Sequence, residues 1–202
     1  MSDQPSLIPS DAYTLFLSSL KERIQTAQTK AALAVNRELI LLYWQIGTEI
    51  LKRQKTEGWG SKVIGKLAKD LKRDFPELKG FSSRNIKYMR SFAEAWPDEE
   101  FVHQLGAQIP WKHNCVLIEK VKAPQARRWY IEQTIQNGWS RNILTMQIES
   151  NLYQRQGDAV TNFERTLPQP QSDLAQQLIK DPYNFDFLTL RRGALERELE
   201  AG

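Results

Sequence analysis

Residues 30–54, KAALAVNRELILLYWQIGTEILKRQ, carry the most pronounced apolar pattern of the chain. Five apolar side chains recur at the three- and four-residue spacing of one helix face: Val35, Leu39, Leu42, Ile46 and Ile50. Ile40, Leu41 and Trp44 lie on the other sides, so the helix is apolar nearly all round near its middle. Such a helix is either a central core helix or the seam of a dimer, and the sequence leaves both interpretations open.

Helical periodicity also dominates outward from this segment, and no hairpin dipeptide lies between alternating strands. We expect helices over residues 10–27, 30–54, 61–75, 82–96, 112–121, 124–137 and 140–153. A looser stretch, residues 97–110, separates the fourth helix from the fifth. Pro124 suits a first helical turn, and Asn137-Gly138 suits a helix end. The predicted fold class is mainly α, a multi-helix domain.

A change in composition divides the chain near residue 157. Residues 1–156 are predicted to form the helical domain, and residues 157–202 a connector with further helices. Pro168 and Pro170 exclude regular helix in the connector. A short helix over residues 172–180 and a charged helix over residues 191–200 are expected after it.

Composition limits the classes of protein to consider. The hydrophobic fraction is 41% and the charged fraction 26%, which is ordinary for a globular protein. One cysteine, Cys115, excludes an internal disulfide and suits a reducing compartment. No stretch approaches the roughly 20 apolar residues that span a bilayer. We expect a soluble cytoplasmic protein without a membrane partner.

Positive charge is concentrated in one block of the chain. Residues 51–95 contain 12 basic and 5 acidic side chains, although the net charge of the whole chain is only +4. A block of this kind is either a surface for a polyanion or a solvated helix face.

A common pattern begins several of the predicted helices. It is present in residues 58–64 (GWGSKVI), 80–86 (GFSSRNI) and 138–143 (GWSRNI), and more loosely in 111–116 (WKHNCV). An aromatic residue precedes a serine, which caps the free amides while the aromatic ring packs back on the helix. A basic residue follows, where it opposes the helix dipole at a cost of roughly 0.3–1 kcal/mol. Because free amides beside a cation suit a phosphate oxygen, the pattern hints at contacts to a nucleic-acid backbone.

The third and fourth predicted helices give the sharpest hypothesis. Each has an apolar face and an outward face rich in groups that contact DNA phosphates or bases. The candidate DNA contacts are Lys62, Lys66, Lys69 and Arg73 on the third helix, and Arg84, Asn85, Lys87, Tyr88 and Arg90 on the fourth. Arg141 and Asn142, at the start of the seventh helix, are second-rank candidates. The pair resembles a helix-turn-helix, but its connection, residues 76–81, exceeds the usual 3–4 residues and leaves a looser or winged variant open.

No catalytic or cofactor site is predicted. Residues 60–66 (GSKVIGK) match the spacing of a phosphate-binding loop, but Leu67 replaces the required Ser or Thr and no strand precedes them. His103, His113 and Cys115 lack the further ligands of a metal site, and Cys115 suits a buried position. The carboxylates and lysine of a metal-dependent nuclease core, carried on strands, have no counterpart.

Several motifs together resemble the N-terminal domain of YhcG-type proteins. They are residues 42–47 (LYWQIG), 58–60 (GWG), 80–92 (GFSSRNIKYMRSF), 109–114 (IPWKHN), 137–142 (NGWSRN), 162–168 (NFERTLP) and 180–188 (KDPYNFDFL). The resemblance extends from about residue 12 to 200, and the last two motifs are specific. It implies a helical domain that precedes a C-terminal PD-(D/E)XK-type nuclease domain. That nuclease domain would begin where this chain ends, so we expect a truncated product, one half of a split gene or a chosen fragment.

The hypothesis from sequence is a DNA-binding accessory domain that delivers DNA to a nuclease domain in cis or in trans. The alternative is an oligomerisation or partner-docking module, in which the helix over residues 30–54 forms the seam of a homodimer and the basic block is merely solvated. An enzyme of unrecognised type ranks third.

Overall fold

A computed structural model describes residues 11–158 and Tyr183. It contains the helices α1 (Asp11–Glu57), α2 (Ser61–Asp74), α3 (Ser83–Ala95), α4 (Glu99–Gln104), α5 (Trp111–Lys120), α6 (Pro124–Asn137), α7 (Arg141–Glu149) and α8 (Leu152–Asp158). Two 3-10 turns, Lys79–Phe81 and Gly106–Gln108, precede α3 and α5. Because no strand occurs among the described residues, the predicted mainly α class is confirmed.

The first helix is continuous for 47 residues, and the predicted break between residues 27 and 30 was wrong. That segment, AQTK, contains neither proline nor glycine. Every residue in it can keep helical backbone angles and its hydrogen bond, so the helix continues.

The second half of α1 is the central core helix that the sequence allowed. Leu39, Ile40, Tyr43, Trp44 and Ile50 are all buried by other parts of the same chain. Much of the apolar surface of this segment is therefore covered within the chain itself, as expected of a core helix.

Helix α3 packs along α1 at very close range. The two helices meet at Gly47, where an added Cβ would overlap the carbonyl group of Met89 and lie 3.0 Å from the Cβ of Ala93. Glycine therefore allows α3 to approach the α1 backbone directly. Met89 and Ala93 are both buried at this crossing.

Aromatic side chains fill the core between α1, α3 and α5. The ring of Trp111 contacts Tyr43 and Phe92 edge to face, at centroid distances of 4.8 and 5.4 Å. Trp44 donates its indole N–H to the carbonyl oxygen of Trp96 at 2.7 Å. The Trp111 contacts hold α5 against α1 and α3, and the Trp44 hydrogen bond joins α1 to the end of α3.

The later helices follow the local signals of the sequence with two exceptions. Helix α6 begins at Pro124 and ends at Asn137, and Gly138, with a φ of 60°, is the left-handed cap that the sequence predicts. The predicted single helix over residues 140–153 is instead α7 and α8, separated at Asn151, whose φ is 53°. The predicted looser stretch over residues 97–110 holds α4 and a 3-10 turn. Asp98 caps α4 by accepting from the N–H of Glu100.

The helix-turn-helix comparison is not confirmed. Helices α2 and α3 pack together, but eight residues with a 3-10 turn connect them in place of a tight turn. A winged variant would need strands, and the described part of the chain has none.

The first half of α1 extends away from this core. Residues 13–34 are exposed or half-buried, and they include the exposed apolar side chains of Leu15, Phe16 and Ile24. Within the described range, no helix has the length and the hydropathy that crossing a membrane requires. The helices predicted over residues 172–180 and 191–200 lie outside the described residues, as does most of the predicted connector.

Candidate nucleic-acid interface

Helix α2 presents its basic stripe to solvent. Lys62, Lys66, Lys69 and Arg73 are all exposed, while Ile64 and Ala68 on the opposite face are buried. The stripe exists because two periodicities coincide on one helix, an apolar face toward the core and a basic face away from it.

The cations of this stripe differ in their ionic environment. Arg73 pairs with Asp70 at 3.2 Å and with Asp74 at 3.0 Å, and these carboxylates, Asp74 foremost, raise the pKa of its guanidinium. Within the described part of the chain, no carboxylate pairs with Lys62, Lys66 or Lys69. These three lysines therefore present uncompensated positive charge.

Only two of the recurring helix starts have the predicted serine cap. Ser82 accepts from the N–H of Asn85 at 3.2 Å, and Ser140 accepts from the N–H of Ile143 at 3.3 Å. Ser61 is the first residue of α2, which is capped by Gly60 without a side-chain bond. Pro110 occupies the cap position of α5. Sequence therefore located the starts correctly but overstated the number of serine caps.

The outward face of α3 is mixed. Arg84 and Lys87 are exposed, whereas Tyr88 and Arg90 are half-buried. Arg90 pairs with Glu94 at 3.6 Å along the same helix. Lys87 has no ion-pair partner among the described residues and is a further exposed, unpaired lysine.

Asn85 does not belong to the surface on which it was expected. It is buried, its amide nitrogen donates to the carbonyl oxygen of Gly80 at 2.6 Å, and its Oδ1 accepts from the indole N–H of Trp111 at 2.7 Å. Both ends of the amide are thus used inside the protein, and the side chain cannot contact a base edge. Asn85 lies at the edge of the apolar face of α3, and the sequence does not show that α5 covers this edge.

Tyr88 connects the start of α3 to α5. Its hydroxyl donates to Oε2 of Glu119 at 2.9 Å and accepts from the guanidinium of Arg84 at 3.4 Å. The guanidinium carbon of Arg84 lies 5.7 Å from the centre of the Tyr88 ring. This chain of contacts orients Arg84 at the edge of a cavity.

The cavity has a volume of about 340 Å³ and is partly open to solvent. Its lining residues are Ser82, Arg84, Asn85, Tyr88, Lys112, Cys115, Val116, Glu119, Arg141 and Tyr183. Tertiary structure thus brings Arg84, Asn85, Tyr88 and Arg141 together from the predicted candidates. The α2 stripe, Lys87, Arg90 and Asn142 are not part of the lining.

Lys112 and Tyr183 are two of the lining residues that were not among the candidates from the sequence. Lys112 is exposed in the first turn of α5, and its ammonium lies 4.9 Å from the centre of the Tyr183 ring. The signal for Lys112 was present, because it is the basic residue of the loosest helix-start motif. No sequence signal placed Tyr183 beside it.

Arg141 and Asn142, the second-rank candidates, are both exposed in the first turn of α7. Arg141 faces the cavity, and its charge also acts on the buried His113. The surface of α7 beyond them carries no further cation.

His113 lies inside the core next to this region. Its Nε2 donates a hydrogen bond to the carbonyl oxygen of Trp139 at 3.0 Å. Burial lowers the pKa of His113 to about 4, and the charge of Arg141 acts in the same direction.

Cys115 is buried, as predicted. No three His, Cys, Asp or Glu side chains of the described residues are grouped as metal ligands.

Comparisons with known proteins show which family the chain resembles. Residues 19–155 match the DUF1016 N-terminal domain. A curated relative, the "Putative nuclease YhcG" of Escherichia coli (strain K12), is 27% identical over an alignment of 213 residues, which covers 88% of this chain and 56% of the relative. The chain therefore spans about half the length of the curated relative that it matches. No solved structure matches it.

Proposed function

The chain belongs to the DUF1016 N-terminal domain family, and from this membership we propose that it is a nuclease-associated domain that binds DNA. It positions DNA for a nuclease domain, in cis or in trans, and does not itself cleave the strand. The name of the relative supports the association with a nuclease. The sequence motifs, which resemble YhcG-type proteins, indicate the same family.

One observation carries the DNA-binding part of the proposal. Lys62, Lys66 and Lys69 form an exposed stripe on α2 without a carboxylate partner among the described residues. Paired cations lose part of their attraction for phosphate to their own partners, whereas unpaired lysines retain it. Lysines that neutralise phosphates release condensed counterions, and this release drives binding that is largely independent of sequence. The stripe therefore fits the DNA backbone better than a specific base sequence.

The same stripe also specifies the experiment. Fluorescence anisotropy of a labelled duplex, across a series of salt concentrations, compares the wild type with Lys62→Glu/Lys66→Glu/Lys69→Glu. The matched control is Lys21→Glu/Lys30→Glu/Lys122→Glu, which changes the net charge equally at exposed lysines elsewhere. We expect the α2 variant to lose binding and the control to retain most of it. Equal losses would mean that overall charge, and not this surface, attracts the DNA.

A second candidate function is favoured by the exposed first half of α1. Leu17, Leu20, Ile24 and Ala27 recur at the three- and four-residue spacing of a coiled-coil seam, and Ile24 is 57% exposed. A second copy of the same helix would cover this face and make the domain a dimer. This face lies outside residues 30–54, whose apolar surface is largely covered within the chain itself.

Sedimentation velocity tests the second candidate. A concentration-dependent dimer that persists at high salt, and that Leu17→Ser/Ile24→Ser dissociates, would support it. Ser18→Ala/Gln25→Ala on the other side of the helix is the control. A monomer at every concentration would exclude it. DNA binding and dimerisation are separate properties, so either result leaves the first proposal open to its own test.

A further inference from the structure

The cavity between α3, α5 and α7 gathers three cations that are distant in the sequence. Arg84, Lys112 and Arg141 each stand in the first turn of a different helix, and all three line the same space. Each is placed where the helix dipole is unfavourable for a positive charge. This convergence of three cations on one cavity points to an anionic ligand.

The remaining polar groups make the cavity selective. Glu119 is the one carboxylate of its described lining, and it accepts a hydrogen bond from the Tyr88 hydroxyl. Among the described lining residues, cations thus outnumber carboxylates by three to one. Arginine and lysine at this density suit phosphate oxygens, since a guanidinium can donate two parallel hydrogen bonds to them.

Aromatic rings add a second kind of recognition. Tyr88 and Tyr183 both line the cavity and are half-buried, and each ring is already in contact with a cation, Arg84 and Lys112 respectively. An aromatic face beside a basic groove is the arrangement on which unpaired bases stack.

Size and shape restrict the ligand further. A volume of about 340 Å³ lies at the lower end of the roughly 300–1,000 Å³ typical of small-molecule sites. A duplex cannot enter a cavity of this size, whereas a single nucleotide at the end of a strand can. Internal phosphates of a duplex would contact the exposed α2 stripe instead.

We propose that the cavity formed by Arg84, Tyr88, Lys112, Arg141 and Tyr183 holds the phosphorylated terminal nucleotide of a DNA strand. This inference rests on the proposed function and deepens it, because it assigns DNA ends to one part of the surface and the duplex backbone to another.

The test compares one duplex with unpaired terminal nucleotides in three forms, with a 5′-phosphate, a 3′-phosphate or hydroxyl groups at its ends. Binding to the 202-residue chain is measured by anisotropy, with the fluorescent label placed internally. We expect about 10- to 100-fold tighter binding of one phosphorylated form, the range expected for charge-assisted contacts. Lys112→Ala should reduce this ratio of affinities, while Lys122→Ala, an exposed lysine outside the cavity, should preserve it.

The outcomes separate the two proposals. Tight binding with equal affinity for all three duplexes would overturn the end-binding cavity and leave the DNA-binding function intact. A preference for a phosphorylated end that Lys112→Ala does not change would place the end elsewhere and also overturn it. Failure to bind any duplex at low salt would overturn the DNA-binding function together with the cavity. Circular dichroism of each variant shows that the helices remain folded.

Discussion

Trp111 donates its indole N–H to Oδ1 of Asn85 at 2.7 Å, and this hydrogen bond joins α5 to the first turn of α3 inside the core. The other end of the Asn85 amide donates to the carbonyl oxygen of Gly80 at 2.6 Å. One buried amide thus satisfies two groups that are cut off from water. The turn before α3 is thereby held to the helix that forms the other side of the cavity.

The first prediction concerns this amide. Asn85→Ala leaves the Trp111 N–H and the Gly80 carbonyl without partners, and each unsatisfied group costs about 1–3 kcal/mol. We expect the free energy of unfolding to fall by about 2–4 kcal/mol in urea denaturation. The matched control is Asn142→Ala, because Asn142 follows an arginine in the same helix-start pattern but is exposed. The control should change stability by less than about 0.5 kcal/mol. Equal effects of the two substitutions would contradict the structural role of Asn85.

The second prediction concerns the crossing of α1 and α3. Gly47→Ala places a methyl group against the Met89 backbone, so the helices must separate, at a cost of about 1–3 kcal/mol. Gly65→Ala on α2 is the control, because an added methyl there meets no neighbour within 4 Å. It should instead stabilise the protein by up to about 1 kcal/mol through helix propensity. Thermal and urea unfolding of both variants measure the difference. Stabilisation by both substitutions would show that the helices are not in contact at Gly47.

The third prediction is a pH dependence of stability. Burial lowers the pKa of His113 to about 4, below the value near 6.5 that it has when unfolded. As the pH falls through 6.5, His113 binds a proton in the unfolded chain, whereas in the folded protein it binds one only near pH 4. Stability from this group is therefore complete above pH 6.5 and is lost as pH falls toward 4. Between pH 7 and 5 we expect a loss of about 2 kcal/mol.

Comparison of the two histidines isolates this effect. His113→Gln should flatten the dependence of the free energy of unfolding on pH between 7 and 5, even if it lowers that free energy overall. His103→Gln, at a half-buried position, should retain the pH dependence. An unchanged slope in the His113 variant would mean that another group is responsible.

The fourth prediction concerns the salt dependence of DNA binding. Each lysine that neutralises a phosphate contributes about 0.9 to the slope of log affinity against log salt concentration. Lys62→Ala/Lys66→Ala/Lys69→Ala should therefore reduce the slope by about 2.7. Arg73→Ala should reduce the slope by less than the loss of one lysine does, because Arg73 is paired with Asp70 and Asp74. A larger change from Arg73 than from one lysine would show that the ion pairs open when DNA binds.

Sequence predicted the elements whose limits depend on nearby residues. Helices α2, α3 and α6 begin and end within one or two residues of the predicted limits, because serine, proline and glycine act on the adjacent backbone. The errors were also local in cause. The predicted break in α1 had no residue to enforce it, and the break at Asn151 was missed because asparagine tolerates both helical and left-handed angles.

The candidate surface could be predicted only in part. The α2 stripe followed from periodicity, since its opposite face is apolar and had to turn inward. Asn85 could not be assigned in this way, because the periodicity of α3 does not say whether a neighbouring helix covers its edge. Lys112 had a local signal, yet nothing in the sequence joined it to Arg84 and Arg141.

By itself, the amino-acid sequence determined the helical class, the concentration of charge in residues 51–95 and the family of the chain, because periodicity, charge and motifs are properties of contiguous residues. Tertiary structure alone decided that three separated helix starts meet at one cavity and that Asn85 faces inward. It also decided that only the second half of α1 is covered. These outcomes depend on which helices pack together, and helix packing results from contacts between residues that are distant along the chain.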